Sequence, residues 1–149
     1  MRYLGIDPGK SGALAVIIPH KRGVLLFPFE KLLDCEIWNL FKLHGGPGSR
    51  ATIESVHAFP GQGVVSMFSF GTNFGFLKAC LIASGTFHSF VTPQRWQKEL
   101  NIVRTEEEKK RKDKTVTLRK AQKLFPKWME FSHKTADAAL LAYYCKRYL

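Results

Sequence analysis

The chain has 149 residues, of which 45% are hydrophobic, 13% aromatic and 23% charged. This composition is that of a globular protein, and it excludes a largely disordered chain, a fibre and a disulfide-stapled miniprotein. A chain of this length forms one domain with a substantial core, so we expect a single domain over residues 1–149. The formal net charge of +11, from 23 Lys and Arg against 12 Asp and Glu, makes polyanions the obvious partners.

Two further classes are excluded by the sequence pattern. The apolar runs fall short of about 18 residues and no secretory signal pattern is present, so we expect no membrane association. Cys35, Cys80 and Cys145 are odd in number and widely spaced, which suits neither a disulfide framework nor a zinc site. We expect buried, inert thiols in an intracellular, reducing compartment, such as the cytoplasm of a cell or of a virus-infected cell.

The first third of the chain predicts three strands, a helix and a fourth strand. Short β-type runs over residues 2–7, 11–18 and 24–29 are separated by turn residues, which predicts an antiparallel meander. Apolar residues at helical spacing predict a helix over residues 30–43, and residues 51–56 predict the fourth strand.

The rest of the chain alternates between helices and strands. A long apolar helix over residues 64–84 precedes a strand over 86–91, a helix over 93–100 that Thr92 caps and Pro93 opens, and helices over 114–124 and 135–148. Gly71 and Gly75 on the long helix predict a close approach of another helix or of the sheet. A meander followed by alternating strands and helices implies an α/β fold, with a mixed sheet flanked by helices.

Three acidic residues stand at the ends of apolar elements. Asp7 ends the first strand before a glycine turn, Glu54 interrupts the apolar fourth strand, and Asp137 lies in the first turn of the last helix. Because an unpaired carboxylate in a central strand is costly, Glu54 is expected to need a cation. The structural alternatives are that Asp7 shapes its turn, that Glu54 faces water on an edge strand, and that Asp137 complements the helix dipole.

Several motifs carry a resemblance that covers nearly the whole chain. They are LGIDPGKSG at residues 4–12, IE at 53–54, FGTNFG at 70–75, VTPQRWQKEL at 91–100 and ADAALLA at 136–142. In this order and spacing they resemble the RuvC-like Holliday-junction resolvases, especially their phage-type branch. The resemblance implies a ribonuclease H-like fold: a five-stranded mixed sheet, with its first three strands antiparallel, surrounded by helices.

The resemblance also implies a metal centre. Asp7, Glu54 and Asp137 would meet at one end of the sheet and hold two Mg²⁺ ions, for which Mn²⁺ could substitute. The family commonly has an acid one helical turn before the last Asp, whereas this chain has His133 and Lys134 there. His133 is the expected fourth ligand because residues four apart share a helix face. Because this acid is missing, a junction-binding protein with weakened catalysis is an alternative function.

DNA contacts are implied in the same way. Lys114 matches a family lysine beside the scissile phosphate, where it would stabilise developing negative charge. After the fourth strand, His57 or Phe59 would stack on unpaired bases at the junction centre, with core packing as the alternative for Phe59. For the basic segment between residues 104 and 127, a solvated helix with ion pairs is the alternative. The cations expected to bind backbone phosphates are Lys10, Lys109, Lys110, Arg111 and Lys112.

The expected function is magnesium-dependent resolution of four-way DNA junctions, with no small-molecule substrate. Two symmetric strands must be cut, so we expect a homodimer with two identical sites. The long apolar helix is the best candidate for its interface, and a buried helix of a monomer, which would have the same apolar pattern, is the alternative. One alternative is a related ribonuclease H-fold nuclease acting on RNA or RNA/DNA hybrids. An actin-like or sugar-kinase ATPase would need two lobes, and 149 residues supply one.

Overall fold

The computed structural model describes residues 1–55, 61, 63–110 and 115–149. Within these residues a mixed sheet of five strands is flanked by helices. The strands are β1 (Arg2–Asp7), β2 (Ala13–Ile17), β3 (Leu25–Pro28), β4 (Ser49–Glu54) and β5 (Phe87–Val91). The helices are α1 (Asp34–His44), α2 (Val64–Ala83), α3 (Pro93–Glu99), α4 (Glu106–Lys110), α5 (Thr115–Leu124) and α6 (Ala136–Tyr148).

The strand order is β3-β2-β1-β4-β5. The β1–β2 and β2–β3 pairs are antiparallel, whereas the β1–β4 and β4–β5 pairs are parallel, which confirms the predicted meander and the α/β class. Parallel pairing brings the last residues of β1, β4 and β5 to the same end of the sheet, which we call the carboxyl end. Since β4 lies between β1 and β5, the alternative of an edge strand for Glu54 is wrong.

Alternation along the strands assigns their side chains to two faces. Leu4 and Ile6 of β1 and Ile53 of β4 pack against α1 and α2 in one core cluster. On the other face, α6 lies directly against β1 at Gly5, where an added Cβ atom would be 2.0 Å from the Ala142 amide nitrogen. The alanine-rich sequence of α6 allows this close approach of helix and strand.

Two helix starts show how far local chemistry determines the elements. The Thr92 hydroxyl accepts a hydrogen bond from the Arg95 backbone N–H at 3.4 Å, and Pro93 opens α3 as predicted. Helix α4 was expected only in the alternative of a solvated helix for the basic segment. Its start nevertheless carries a capping box, in which the Thr105 and Glu108 side chains accept each other's backbone N–H at 3.2 and 2.9 Å.

Among the described residues, helix α2 packs against the sheet through its C-terminal half. Leu77 and Leu81 are fully buried, whereas Val64 and Phe68 are 84% and 77% exposed. In the part of the chain that the structure describes, no atom of a neighbouring element lies within 4 Å of a Cβ placed on either glycine of the FGTNFG motif. The expectation that these glycines admit a close neighbour within the chain is therefore wrong.

The apolar length of α2 also corrects an expectation from the sequence. Over its most apolar 18 residues the mean hydropathy is 1.3, so by length and composition α2 could cross a membrane. Of these 18 residues, 17% are buried in the protein. The sequence alone had predicted no such segment. Its C-terminal half nevertheless packs Leu77, Cys80 and Leu81 into the core beside the sheet, as the helix of a globular domain does.

The three cysteines do not share one environment. Cys80 and Cys145 are buried, whereas Cys35 in the first turn of α1 is exposed, and all three are free thiols. Burial raises the pKa of both Cys80 and Cys145 to about 11. The expectation of burial is confirmed for these two residues and is wrong for Cys35.

Candidate active site

Asp7 and Glu54 end two neighbouring parallel strands. Ile6 lies opposite Ile53 in the β1–β4 register, and Asp7 and Glu54 are the next residues of the two strands. Both carboxylates therefore belong to the face that carries Gly5 and is covered by α6. Both side chains are partly buried at the carboxyl end of the sheet.

The turn after β1 orients Asp7. The Gly9 backbone N–H donates a hydrogen bond to Asp7 Oδ1 at 3.3 Å, so Asp7 shapes its turn as the structural alternative predicted. The Asn73 side-chain amide of α2 donates to the Pro8 carbonyl, which ties this turn to the long helix. Lys10, at the tip of the turn, is exposed.

The carboxylate of Glu54 meets a buried tryptophan. The Trp96 indole N–H donates to Glu54 Oε1 at 2.8 Å, and Trp96 is 0% exposed. The sequence predicted a cation beside Glu54, but it did not identify this neutral donor. The sequence signal that could have indicated a donor was Trp96 itself. A tryptophan buried on a helix needs an acceptor for its indole N–H.

Asp137 reaches the same end of the sheet through the direction of α6. The helix crosses Gly5 in the middle of β1, and Tyr148 near its last turn lines a cavity together with Met1, at the opposite end of the sheet. The first turn of α6 therefore lies toward the carboxyl end, on the same face as Asp7. Asp137 is partly buried there, and its Oδ1 atom is inaccessible to solvent.

The two candidates for a fourth ligand have different surroundings. His133 is exposed in the turn before α6. This turn is helical at its end, because the Ala136 N–H donates to the Ser132 carbonyl at 3.0 Å. The Lys134 ammonium forms an ion pair with the Glu30 carboxylate, which holds the pKa of Glu30 below its ordinary value of 4.5. Lys134 is thus directed to Glu30, and His133 stays the candidate.

The donor chemistry at the carboxyl end suits a hard divalent cation, because carboxylate oxygens are the ligands that Mg²⁺ prefers. Among the side chains that the structure describes, however, no three His, Cys, Asp or Glu residues are arranged so that they could hold a metal ion. The acids Asp7, Glu54 and Asp137 approach one end of the sheet without forming a closed set of ligands. Binding of an ion by all three requires their side chains to move together.

The predicted DNA contacts are described only in part. Lys109 and Lys110 belong to α4. An ion pair joins Arg119 of α5 to Glu108 of α4 at 2.8 Å. It spans eleven positions, so it is not one of the i,i+4 pairs of the alternative. The predicted residues that lie outside the described ones are His57, Phe59, Arg111, Lys112 and Lys114.

No model of a protein family matches this sequence, and no curated protein is significantly similar to it. Solved structures do match. RuvC of T. thermophilus in complex with a Holliday junction substrate has a TM-score of 0.59 at 17% identity, over 95% of this chain and 90% of that chain. A second structure of Thermus thermophilus RuvC also has a TM-score of 0.59, at 13% identity, over 95% of this chain and 91% of that one. The chain therefore has a RuvC-like fold of the ribonuclease H type.

Proposed function

We propose that this protein is a structure-selective endonuclease that resolves four-way DNA junctions by metal-dependent hydrolysis of two symmetric strands. One observation carries the proposal: Asp7, Glu54 and Asp137 approach one end of a RuvC-like sheet on the same face. The net charge of +11 supports a polyanionic substrate. The similar RuvC structure that contains a Holliday junction substrate supports branched DNA as that substrate.

In this proposal the three acids hold two Mg²⁺ ions, for which Mn²⁺ can substitute, and His133 completes the set. Ions held by these residues would supply the activation of a water for in-line attack on phosphorus and the stabilisation of the leaving oxygen. The turn at Gly9 orients Asp7 for this role. Lys114 offers its positive charge to the scissile phosphate, where negative charge develops during the reaction.

DNA binding in the proposal uses charge and stacking. Lys10, Lys109, Lys110, Arg111 and Lys112 bind backbone phosphates and so recognise shape without reading bases. His57 or Phe59 stacks on unpaired bases at the junction centre, where each stacked base is worth roughly 1–3 kcal/mol.

A nicking assay on a synthetic four-way junction tests the proposal. Asp7→Asn, Glu54→Gln and Asp137→Asn should each lower Mg²⁺-dependent cleavage by orders of magnitude and leave junction affinity near that of the wild type. The control Asp34→Asn neutralises a carboxylate in the first turn of α1, outside the candidate site, and should cleave normally. Wild-type cleavage by any of the three site variants removes that residue from the site, and no cleavage by the wild type overturns the proposal.

One observation favours a second candidate, a junction-binding protein without effective catalysis. The described side chains include no group of three that could hold a metal ion, and an acid is missing where the family usually has one. Such a protein would bind the junction but would not nick it with either Mg²⁺ or Mn²⁺. Four-way, duplex and RNA/DNA hybrid substrates tested side by side would also separate a junction resolvase from a nuclease of RNA or hybrids.

The proposal includes a homodimer formed through α2. The outward side of this helix exposes Val64, Val65 and Phe68, with 84%, 81% and 77% of their surfaces accessible. Further along the same helix, Gly71 and Gly75 are exposed and would let a second helix backbone approach closely. A two-fold contact across this surface would join two identical sites, as cutting two symmetric strands requires.

Sedimentation equilibrium tests this interface. The wild type should sediment as a dimer at micromolar concentration, and Phe68→Glu should shift it to the monomer. Leu43→Glu is the control, because Leu43 is a 63% exposed apolar residue on α1, and it should leave the dimer intact. A monomeric wild type, or a Phe68→Glu dimer of unchanged stability, is inconsistent with a homodimer through α2.

A further inference from the structure

The contact between Trp96 and Glu54 joins residues that are 42 positions apart in the sequence. Trp96 is the largest of the fully buried side chains. Its indole N–H therefore has no access to water if the contact with Glu54 breaks. A buried donor left without an acceptor is unfavourable, because it has lost its hydrogen bonds to water and gained none in the protein. The native packing of Trp96 therefore favours one orientation of the Glu54 carboxylate.

The helix that carries Trp96 is itself held at both ends. It begins at Pro93, two residues after Val91, which lies opposite Glu54 in the β4–β5 register. Near its other end, the Glu99 carboxylate accepts a hydrogen bond from the Tyr144 hydroxyl of α6 at 2.6 Å. Helix α3 thus links the end of β4 to α6, and a shift of Trp96 would have to break contacts at both of its ends.

The chemical nature of the donor matters as much as its position. The donor to Glu54 Oε1 is a neutral indole N–H. Such a donor orients a carboxylate without adding a positive charge of its own. This is the arrangement expected of a partner that orients a metal ligand.

We propose that Trp96 is a positioning residue of the candidate site, whose indole N–H holds the Glu54 carboxylate in the orientation that binds a divalent cation. This inference rests on the proposed function. Loss of a group that orients a metal ligand typically weakens metal binding by about 10–100-fold. Trp96→Phe, which keeps an aromatic ring and removes the N–H, should weaken Mg²⁺ binding by that factor in calorimetric titration.

Trp38→Phe is the matched control for this titration. It makes the same change in a tryptophan of α1, which packs against the core cluster on the other face of the sheet. If Trp96 acts through Glu54, Trp38→Phe should bind Mg²⁺ as the wild type does. Equal weakening by the two substitutions would indicate a general effect of packing and would overturn the proposal, as would unchanged binding by Trp96→Phe.

A spectroscopic readout does not depend on the folding of Trp96→Phe. The indole ¹H–¹⁵N signals of Trp38, Trp96 and Trp128 can be assigned with Trp38→Phe and Trp128→Phe. Glu54→Gln should move the Trp96 signal and abolish its response to Mg²⁺, while the signal of Trp128, which is 68% exposed, should stay unchanged. A Trp96 signal insensitive to Glu54→Gln overturns the contact.

This design separates failure of the positioning role from failure of the proposed function. If the wild type neither binds Mg²⁺ nor nicks junctions, the nuclease proposal fails and the metal-positioning role fails with it, even if the Trp96 signal still depends on Glu54. If the wild type binds and cleaves but the Trp96 signal ignores Mg²⁺, only the positioning role is overturned.

Discussion

Gly5 of β1 lies against the backbone of α6 at Ala142, so closely that a Cβ atom on Gly5 would be 2.0 Å from the Ala142 nitrogen. Because backbone atoms cannot rotate aside, Gly5→Ala must push α6 away from the sheet. Overpacking of this kind costs about 1–3 kcal/mol or more. Urea unfolding should show a loss of stability at the upper end of that range.

A second glycine provides the control for this prediction. Gly48→Ala places a methyl group where no described atom lies within 4 Å, but its φ of +88° makes that substitution strained. Gly63→Ala is the better control, because its Cβ would lie 3.9 Å from the nearest atom, on Ser66, without positive φ. A loss of stability in Gly63→Ala as large as that in Gly5→Ala would contradict a specific contact with α6.

The histidine at the end of α1 should make stability depend on pH. His44 is 7% exposed, and burial together with the positive charge of Arg2 lowers its pKa below the ordinary 6.5. As the pH falls below 6.5, the unfolded chain binds a proton before the native one does, so the native state loses stability until the pH reaches the native pKa. Within that window the loss is at most about 1.4 kcal/mol per pH unit.

Urea unfolding at pH 7.5 and pH 5.5 measures this effect. His44→Gln should lose less stability between the two pH values than the wild type does. His20→Asn is the control, because His20 is exposed and asparagine tolerates its φ of 70°. His20→Asn should keep the pH dependence of the wild type. The prediction fails if His44→Gln keeps it as well.

The thiols should differ in reactivity. In the native protein, an aromatic disulfide reagent at pH 8 should label Cys35 rapidly, because Cys35 is exposed. Cys80 and Cys145 should react only on unfolding, since burial raises the pKa of both to about 11 and blocks access to them. Cys35→Ser should therefore abolish the rapid phase. Rapid labelling of more than one thiol in the wild type would contradict the described burial.

Salt dependence should report the DNA path. If the basic segment binds phosphates, neutralising it should flatten the slope of log affinity against log salt by about 0.9 for each phosphate contact removed. The tested variant combines Lys109→Gln, Lys110→Gln, Arg111→Gln and Lys112→Gln. A charge-matched control at the opposite end of the sheet combines Lys21→Gln, Arg22→Gln, Lys146→Gln and Arg147→Gln.

The measurement is junction binding over a series of salt concentrations. The control should keep the slope of the wild type, because β2 and α6 both end away from the carboxyl end. A slope unchanged by neutralising the basic segment would assign the DNA path to another surface.

Much of the fold could be predicted from local patterns. The strands β1 and β5, the helices α3 and α6 and the cap at Thr92 lie close to where periodicity and turn residues predicted them. These signals act within a few residues, so the sequence carries them directly. The same locality explains the error at α1, which begins at Asp34 rather than at residue 30, since apolar spacing does not show where the backbone enters the helix.

The candidate site could be predicted only as a set of residues. The sequence identified Asp7, Glu54 and Asp137, and the direction of α6 and the parallel register of β1 and β4 explain why these acids share one end of the sheet. It did not identify Trp96 as the donor to Glu54. That contact depends on how two distant segments pack, and no local period encodes it.

The sequence by itself determined the α/β class, the succession of strands and helices, the positive charge and the acids at the ends of apolar elements, because each follows from short-range chemistry. Only the tertiary structure decided which apolar surface is buried. Helix α2 has the composition of a core helix, yet Val64 and Phe68 are exposed while Leu77 is buried. Burial depends on the partner that each helix face meets, and that partner is set by the whole fold.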